Sequence, residues 1–433
     1  MSSEVRVDRV AGVPTRPGWL QSLARRAVLG RLERMTAGSL RLREGREAWI
    51  FGAGGTAEPA ATVAIHDSRA YGDIAFGGSI GAAEAYMHGY WSCDDLTSAL
   101  RVLLRNRSVL DGLETGAARL TAPLKLALHR LNRNTRGGSS RNVAAHYDLG
   151  NDFFALWLDE SLMYSAAIFA SPTATLEEAS AAKNELICRK LGLTAADRVL
   201  EIGTGWGGFA LHAARRFGCG ITSVTISREQ YELASRRVQQ AGLADRVRVL
   251  LADYRDLDPA VHGRFDKLVS IEMIEAVGHE YQPVFFRKCA QMLEPHGAML
   301  LQAITIAEQR YESARRSVDF IQSHIFPGSC LTSVTNMSTV LTRDTDLRIA
   351  HLEDIGFHYA TTLMHWRTRF RGNIEEIRAL GYPDTFLRMW EYYLCYCEAG
   401  FLERAVGDVQ LLLLKPESRR GYLGEPPSRL DAR

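Results

Sequence analysis

The sequence predicts an α/β protein in which a parallel sheet follows a smaller α+β unit. From about residue 196, strand-like apolar runs alternate with helical patterns, which is typical of a sheet built from βα units. Earlier in the chain the pattern differs, with strand-like runs at 39–52 and 61–67 and a helical run at 82–106. At 433 residues the chain is also too long for one ordinary core.

Composition indicates where the units begin and end. Gly, Ser and Arg residues are concentrated just before residue 142, as in a linker or surface loop. We therefore predict an N-terminal unit at 1–115, a basic linker at 116–141, a larger domain at 142–416 and a polar tail at 417–433.

The charge pattern is local rather than global. Between Lys125 and Arg141 there are five Lys or Arg residues and no acidic residue, so this segment is either a solvated helix or one lying on anionic lipid. An Arg-rich amphipathic stretch at 19–35 is open to the same two interpretations. The net charge of +2 gives no general attraction to nucleic acid. No apolar run approaches the roughly 20 residues that span a bilayer, and the chain starts without a secretory signal pattern, so we expect a cytoplasmic protein.

Five strands are predicted in the larger domain, and ligands of such sheets bind at the carboxyl ends of the strands. The expected strands span 198–203, 220–227, 246–253, 266–274 and 298–306. Helices are expected to begin near Gly207, Arg228 and Tyr281, and a late strand at 409–416 is expected to close the sheet as an edge strand.

A glycine-rich turn follows the first of these strands and reads Gly203-Thr204-Gly205-Trp206-Gly207-Gly208. Its third glycine comes one residue too early for the G-x-G-x-x-G turn of dinucleotide enzymes. A turn that follows an acidic residue in this way is more typical of a site for S-adenosylmethionine, which carries no phosphate. A nucleotide site and tight strand–helix packing are the alternatives. The residues expected to bind the cofactor here are Glu201, Gly203, Gly205, Trp206 and Gly207.

The next two strands supply further candidates for this cofactor. The second strand lacks the acidic residue that usually binds ribose about 20 residues after the first glycine. Thr225 and Gln230 can both donate and accept hydrogen bonds, and we expect them to bind the ribose instead. Asp253 can accept from the adenine amine and Tyr254 can stack on adenine, although Tyr254 is also interpretable as a half-buried surface residue.

With these residues in place, the chain resembles the cyclopropane-fatty-acyl-phospholipid synthase family over nearly its whole length. The matching motifs are GSIGAAEAYMHGYW near the N-terminus, HYDLGNDFFALWLDESLMYS at 146–165, LEIGTGWGGFA at 200–210, VTISREQ at 224–230, DYRD at 253–256, IEMIEAVGHEY at 271–281 and IFPGSCLTS at 325–333. The resemblance implies a Rossmann-like class I methyltransferase sheet with a helical lid. It also implies that the small N-terminal α+β domain docks on lipid and forms a homodimer.

The reaction implied by the resemblance is methyl transfer from S-adenosylmethionine to a cis double bond of a phospholipid acyl chain, followed by closure to a cyclopropane. The enzyme would work peripherally on the inner face of the membrane. The implied base is bicarbonate, and no metal is expected. The positions that match the family's base site are Glu275, Tyr359, Gln302, Ala166 and the backbone of Ile304, and Tyr164 and Ser165 are expected to bind the cofactor.

The chemistry makes physical demands on the site. An alkene is a poor nucleophile, so the site must exclude water, align the reacting carbons and place π faces around a cation. The candidate aromatic residues, each of which also fits a plain core position, are Tyr164, Phe169, Trp206, Tyr359 and Trp366.

Two departures from the family pattern fall in the base site. The chain has Ala166 where bacterial members commonly have cysteine, and Gln302 where they have histidine. Glutamine can still donate a hydrogen bond to bicarbonate, but a lost or moved base would change the product. A methylated or furan-type acyl chain without the cyclopropane is therefore the main alternative. A small-molecule methyltransferase and a cofactor-binding module without turnover are two further alternatives.

Overall fold

The computed structural model describes residues 18–55, 58–107, 134–135, 138–139 and 149–420. Within these ranges the chain forms two β-sheets, each accompanied by helices. Most of the predicted linker, including its basic segment, and residues 421–433 of the predicted tail lie outside the described residues.

The N-terminal sheet has four strands in the order β2-β1-β3-β4. The strands are β1 (Ser39–Glu44), β2 (Glu47–Phe51), β3 (Ala60–Ile65) and β4 (Trp91–Cys93). Three helices accompany them, namely α1 (Trp19–Leu32), α2 (Arg69–Met87) and α3 (Leu96–Arg105). The expectation of one helical run at 82–106 is wrong, because Gly89, with a φ of +74°, follows the end of α2 and β4 comes before α3. Asp95 then caps α3 by accepting from the Ser98 backbone N–H.

The larger sheet has seven strands in the order β10-β11-β9-β8-β5-β6-β7. They are β5 (Arg198–Ile202), β6 (Gly220–Thr225), β7 (Val247–Leu251), β8 (Phe265–Ile271), β9 (Leu293–Ile306), β10 (Arg348–Asp354) and β11 (Val406–Leu414). The pairs β5–β6, β6–β7, β5–β8 and β8–β9 are parallel. Strand β11 is antiparallel to both of its neighbours, β9 and β10. The five predicted strands and the α/β fold class are confirmed.

The late strand is not the edge strand that we expected. Strand β10 pairs with the outer side of β11, so β11 lies between β9 and β10 and is buried over most of its length. Strand β10 was not predicted from the sequence, because RIAHLED has exposed polar residues rather than an apolar run.

Helices cover both faces of this sheet. They are α4 (Asn151–Ala155), α5 (Leu176–Leu191), α6 (Gly208–Phe217), α7 (Arg228–Gln240), α8 (Pro259–His262), α9 (Gln282–Met292), α10 (Glu308–Ala314), α11 (Val334–Asp344), α12 (Gly356–Gly372), α13 (Ile374–Ala379) and α14 (Asp384–Leu402). The predicted starts of α6, α7 and α9 agree with the structure to within one residue. No helix in the described ranges is long and apolar enough to cross a membrane.

The two sheets are connected through α14. The Tyr86 hydroxyl of α2 donates to Glu391 Oε2 at 2.8 Å, and the Arg101 guanidinium of α3 pairs with Glu403 at 2.7 Å. One hydrophobic cluster also runs from the N-terminal strands into α12 and α14. Helices that cover the larger sheet therefore pack directly against the N-terminal part.

Candidate active site

The predicted site residues converge on the carboxyl edge of the parallel strands, where open α/β sheets bind their ligands. Glu201 lies in β5, Thr225 ends β6 and Asp253 follows β7. Glu275 lies in a short 3₁₀ turn after β8, and Ile304 is near the end of β9. The βα order of the chain therefore brings these distant positions to one edge.

The glycine turn needs glycine for conformational reasons. Gly203, Gly205 and Gly207 have φ angles of +101°, +51° and +85°, a region that L side chains rarely adopt. A Cβ on Gly203 would lie 3.2 Å from Met273, whereas a Cβ on Gly205 would meet nothing within 4 Å. The backbone at Gly205 therefore faces open space and can approach a ligand closely.

Glu201 lies beneath this turn as a buried carboxyl group. It accepts a hydrogen bond from the Ser223 hydroxyl, and Ser223 Oγ also lies 2.8 Å from Thr204 Oγ1. Burial raises the pKa of Glu201 to about 8. A cationic ligand group nearby would favour the ionised form, so the open turn and this carboxyl group together fit the cationic, phosphate-free S-adenosylmethionine.

The residues expected to bind ribose and adenine have hydrogen-bond or ring partners within the protein. Thr225 Oγ1 donates to Gln230 Oε1 at 2.8 Å. Asp253 accepts from both the backbone N–H and Nε of Arg255, each at 2.9 Å. The Arg255 guanidinium also donates from Nη2 to Asp253 Oδ2 at 2.5 Å, so both oxygens of this carboxylate have partners within the protein. Tyr254 packs edge-on against Phe285, with 5.5 Å between ring centroids.

The segment before Ala166 forms part of the wall of the site. The Tyr164 and Tyr393 hydroxyl groups are 2.9 Å apart, and the buried Ser165 hydroxyl accepts from Lys183 Nζ at 3.1 Å. Trp206 is also buried, and its indole N–H donates to Asn151 Oδ1 at 2.6 Å.

The structure brings together three of the five candidate aromatic residues. Trp366 is fully buried, and its ring lies 5.4 Å from that of Tyr164 and 6.0 Å from that of Tyr359. Phe169 instead stacks on His365 at 5.2 Å, and Trp206 packs on Phe154 at 5.0 Å. Of the five candidates, Tyr164, Tyr359 and Trp366 therefore form one group of rings.

Glu272 occupies the centre of the base site, and the sequence analysis did not single it out. Its Oε1 accepts from the Ala166 backbone N–H at 2.9 Å and from Gln302 Nε2 at 2.7 Å. Its Oε2 accepts from the Tyr359 hydroxyl at 2.7 Å. Burial raises the pKa of Glu272, while these three hydrogen bonds act in the opposite direction.

This arrangement does not fit a bound bicarbonate ion. The Ala166, Gln302 and Tyr359 groups that were expected to hold bicarbonate all donate to Glu272. The Ile304 backbone N–H donates to Glu275 Oε1 at 2.6 Å. Protein carboxyl groups thus take the donors that the ion would need, so the residues present do not fit the expected bicarbonate ion.

Further buried ionisable groups surround Glu272. Glu275 Oε2 has no hydrogen-bond partner within the described part of the chain, and burial raises the pKa of Glu275 to about 8. Asp408 Oδ2 accepts from Gln302 Nε2 at 3.1 Å, and burial holds the pKa of Asp408 well above its usual range. Burial also lowers the pKa of Lys183, whose charge interacts with Glu272, to about 8.

Glu272, Asp408 and Lys183 left only faint signals in the sequence. Glu272 directly follows β8 and precedes Glu275 by three residues, so its place at a strand end was a usable signal. Asp408 is a charged residue within the apolar strand VGDVQLLLL. Lys183 gives no signal of this kind in the sequence, because lysine is common in helices.

The chain is similar in sequence to known lipid-modifying enzymes. Residues 134–411 match the family model described as mycolic acid cyclopropane synthetase. Over 427 residues the chain is 39% identical to tuberculostearic acid methyltransferase UfaA1 of Mycobacterium tuberculosis, covering 96% of this chain and 97% of the relative. It is 37% identical over 337 residues to the cyclopropane-fatty-acyl-phospholipid synthase of Escherichia coli K12, covering 77% and 82%.

The fold of this chain is also similar to that of a solved structure. Mycolic acid cyclopropane synthase CmaA1, complexed with SAH and CTAB, matches with a TM-score of 0.60 and 30% identity. The match covers 64% of this chain and 98% of that chain.

Proposed function

Because the chain belongs to the mycolic acid cyclopropane synthetase family of S-adenosylmethionine-dependent methyltransferases, we propose that it methylates the cis double bond of a phospholipid acyl chain. The observation that carries this proposal is the buried Glu272 carboxylate, which accepts from Tyr359, whose ring packs 6.0 Å from that of Trp366. Methylation of an alkene creates a carbocation, which needs π faces for stabilisation and a proton acceptor for its discharge. Methylation of oxygen or nitrogen creates no carbocation.

The chain's own residues would hold the cofactor at the glycine turn. Bound S-adenosylmethionine supplies an electrophilic methyl group. Gly203 and Gly205 let the backbone approach it, and Glu201 offers a carboxylate to its cationic part. Thr225 and Gln230 are proposed to bind the ribose, and Asp253 and Tyr254 the adenine. Tyr164, Ser165 and Trp206 would form the wall of this site.

Residues around the alkene would exclude water and hold the proton acceptor in place. Trp366 is fully buried, and Tyr359 is nearly so. Glu275 fixes the Ile304 backbone through its Oε1 and keeps its Oε2 without a protein partner in the described residues. We propose that Glu275 is required for turnover.

The carbocation can give either of two products. Loss of a proton from the new methyl group can close a cyclopropane. A hydride shift followed by proton loss leaves a methylated chain with a double bond. The relatives include one named as a cyclopropane synthase and one named as a tuberculostearic acid methyltransferase, so both products belong to this proposal. Bicarbonate does not, because its expected donors already bind Glu272 and Glu275.

The outer face of α1 supports peripheral binding to a membrane. Trp19, Leu20 and Leu23 are 75%, 50% and 56% exposed. Arg26 on the same helix and Arg34, two residues after its end, are exposed as well. Apolar side chains flanked by basic residues suit an anionic lipid surface. We propose that the N-terminal unit at 1–115 docks on the inner face of the membrane through this surface. Dimerisation of that unit stays a prediction.

The test uses purified full-length protein, vesicles of monounsaturated phospholipid and S-adenosylmethionine labelled in its methyl group. After saponification, the label is expected in the fatty acids. Glu275→Gln should still bind the cofactor product S-adenosylhomocysteine but lose most of this incorporation. Label in the released headgroup, or none in lipid, would overturn the proposal.

A further inference from the structure

We propose that the Glu272 carboxylate, and not a bicarbonate ion, accepts the proton that the methylated acyl chain loses. This inference rests on the proposed function and names the catalytic base for it. Glutamate and bicarbonate both present two oxygens on a planar carbon, so one can replace the other among the same donors. Glu272 takes the place expected for bicarbonate, because it accepts hydrogen bonds from the Ala166 backbone N–H, Gln302 Nε2 and the Tyr359 hydroxyl.

The backbone at Glu272 supports a specific role for this side chain. Its φ of +47° is in the left-handed region, which a residue with a side chain rarely adopts. The Glu272 backbone N–H donates to the Gln302 carbonyl at 2.8 Å, which holds the residue in this conformation at the end of β8. Strained backbone of this kind is concentrated at functional sites.

The hydrogen-bond pattern indicates which of the buried acids carries the negative charge. Glu272 accepts donors on both of its oxygens, which favours its ionised form. Asp408 accepts only from Gln302, and its Oδ1 is buried without a partner among the described residues. Two close carboxyl groups tend to share one negative charge. Asp408 is therefore the protonated member, and Lys183 supplies a nearby positive charge to Glu272.

The proposed step balances without an added reagent. The π electrons of the alkene form a bond to the methyl carbon as its bond to sulfur breaks, and S-adenosylhomocysteine is released. For the cyclopropane, a C–H bond of the transferred methyl group then breaks, and its electrons form the bond to the cationic carbon. For the methylated chain, a hydride shift first moves the cation to the methyl-bearing carbon, and the electrons of a C–H bond on an adjacent carbon form the new double bond. In both cases the proton passes to Glu272. Once the product has left, Glu272 returns the proton to water.

The test compares full-length wild type with Glu272→Gln and Glu272→Gly in buffer freed of carbon dioxide and in the same buffer with bicarbonate. Glutamine keeps the shape of the side chain but cannot accept the proton. Glycine tolerates the positive φ and opens a space of the size of the ion. Arg404→Gly is the matched control, because Arg404 also has a positive φ, of +52°, on an exposed part of the chain.

Wild type and Arg404→Gly should methylate acyl chains at the same rate in both buffers. Glu272→Gln should lose at least about 100-fold in kcat in both, the usual size of a general-base contribution, while its affinity for S-adenosylhomocysteine stays unchanged. Glu272→Gly should recover activity with bicarbonate, and NMR should detect ¹³C-bicarbonate binding to this variant but not to wild type.

A wild-type rate that depends on bicarbonate, together with an active Glu272→Gln variant, would overturn the inference. The absence of acyl-chain methylation by wild type in both buffers would instead overturn the proposed function on which it rests.

Discussion

The Tyr359 hydroxyl donates a hydrogen bond of 2.7 Å to Glu272 Oε2 and so joins α12 to the end of β8. Burial and the Glu272 charge hold the pKa of Tyr359 well above its ordinary value, which keeps the phenol protonated. The tyrosine therefore acts as a permanent donor and stabilises Glu272 as the anion. A contact between the helical layer and the sheet edge thus favours the ionised form of Glu272.

Tyr359→Phe should lower kcat by about 10- to 100-fold, because a hydrogen bond to a charged group contributes about 1.5–3 kcal/mol. The ring contact with Phe401 at 4.5 Å would remain, so cofactor affinity should stay the same. Tyr86→Phe is a matched control, since Tyr86 is also buried and donates to Glu391 at 2.8 Å. Steady-state kinetics would contradict the assignment if both variants kept wild-type kcat.

Gly205→Ala should weaken binding of S-adenosylhomocysteine by at least about tenfold. The backbone cost of a positive φ for alanine is about 1–2 kcal/mol, and the added methyl group would project into the open space that we assign to the cofactor. Gly242→Ala carries a similar backbone cost, since its φ is +65° and its Cβ would also meet nothing within 4 Å. Titration calorimetry should show weaker binding for the first variant only, and equal affinities would argue against the cofactor assignment.

Burial of Glu201 and Glu275 should contribute stability to the ligand-free protein that is lost as the pH rises from 5 to about 8. Glu201 and Glu275 have pKa values raised by burial from 4.5 to about 8. Between these values the folded state holds protons that the unfolded state releases, so folding becomes less favourable with rising pH. The stabilisation is complete below about 4.5 and is lost as pH passes through about 8.

Thermal unfolding of wild type and of the Glu201→Gln, Glu275→Gln double variant tests this dependence. The double variant should show a smaller decrease in Tm over the same range. Readings are best taken below pH 8, because the pKa of Lys183 is lowered to about 8 and its effect has the opposite sign above that value. Identical pH profiles for the two proteins would contradict the assignment of the buried, protonated carboxyl groups.

Replacing Trp19, Leu20 and Leu23 by glutamine should weaken binding to anionic vesicles more than tenfold. Burying each of these side chains in an apolar environment is worth about 1.5–3 kcal/mol. The control replaces Val261 and Leu380, which are 76% and 45% exposed elsewhere on the molecule. Co-sedimentation with vesicles should separate the two variants, and an equal loss of binding would show that α1 is not the docking surface.

The sequence was sufficient for features that are encoded locally. The strands of the parallel sheet are apolar runs, and the glycine turn requires residues that adopt positive φ, so both leave a pattern within a few positions. Strands β4 and β10 were missed because neither leaves such a local pattern. The first has three residues within a helical pattern, and the second is mostly exposed.

The base site illustrates what local patterns cannot supply. The hydrogen bonds of Glu272 reach Gln302, Tyr359 and Ala166, which are 30, 87 and 106 positions away in the sequence. Nothing near Glu272 in the sequence distinguishes it from Glu275, and only the folded chain shows which of the two meets these donors. Three of the predicted residues therefore meet at one carboxylate group, which the sequence did not single out.

The most direct test of this account is mass spectrometry of fatty acids from a bacterium that lacks its own synthase, supplies unsaturated phospholipids and expresses this protein. Wild-type protein is expected to add one CH₂ to monounsaturated acyl chains, whereas an equal amount of Glu272→Gln protein is expected not to. Unmodified acyl chains in cells that contain folded, cofactor-binding wild-type protein would contradict it.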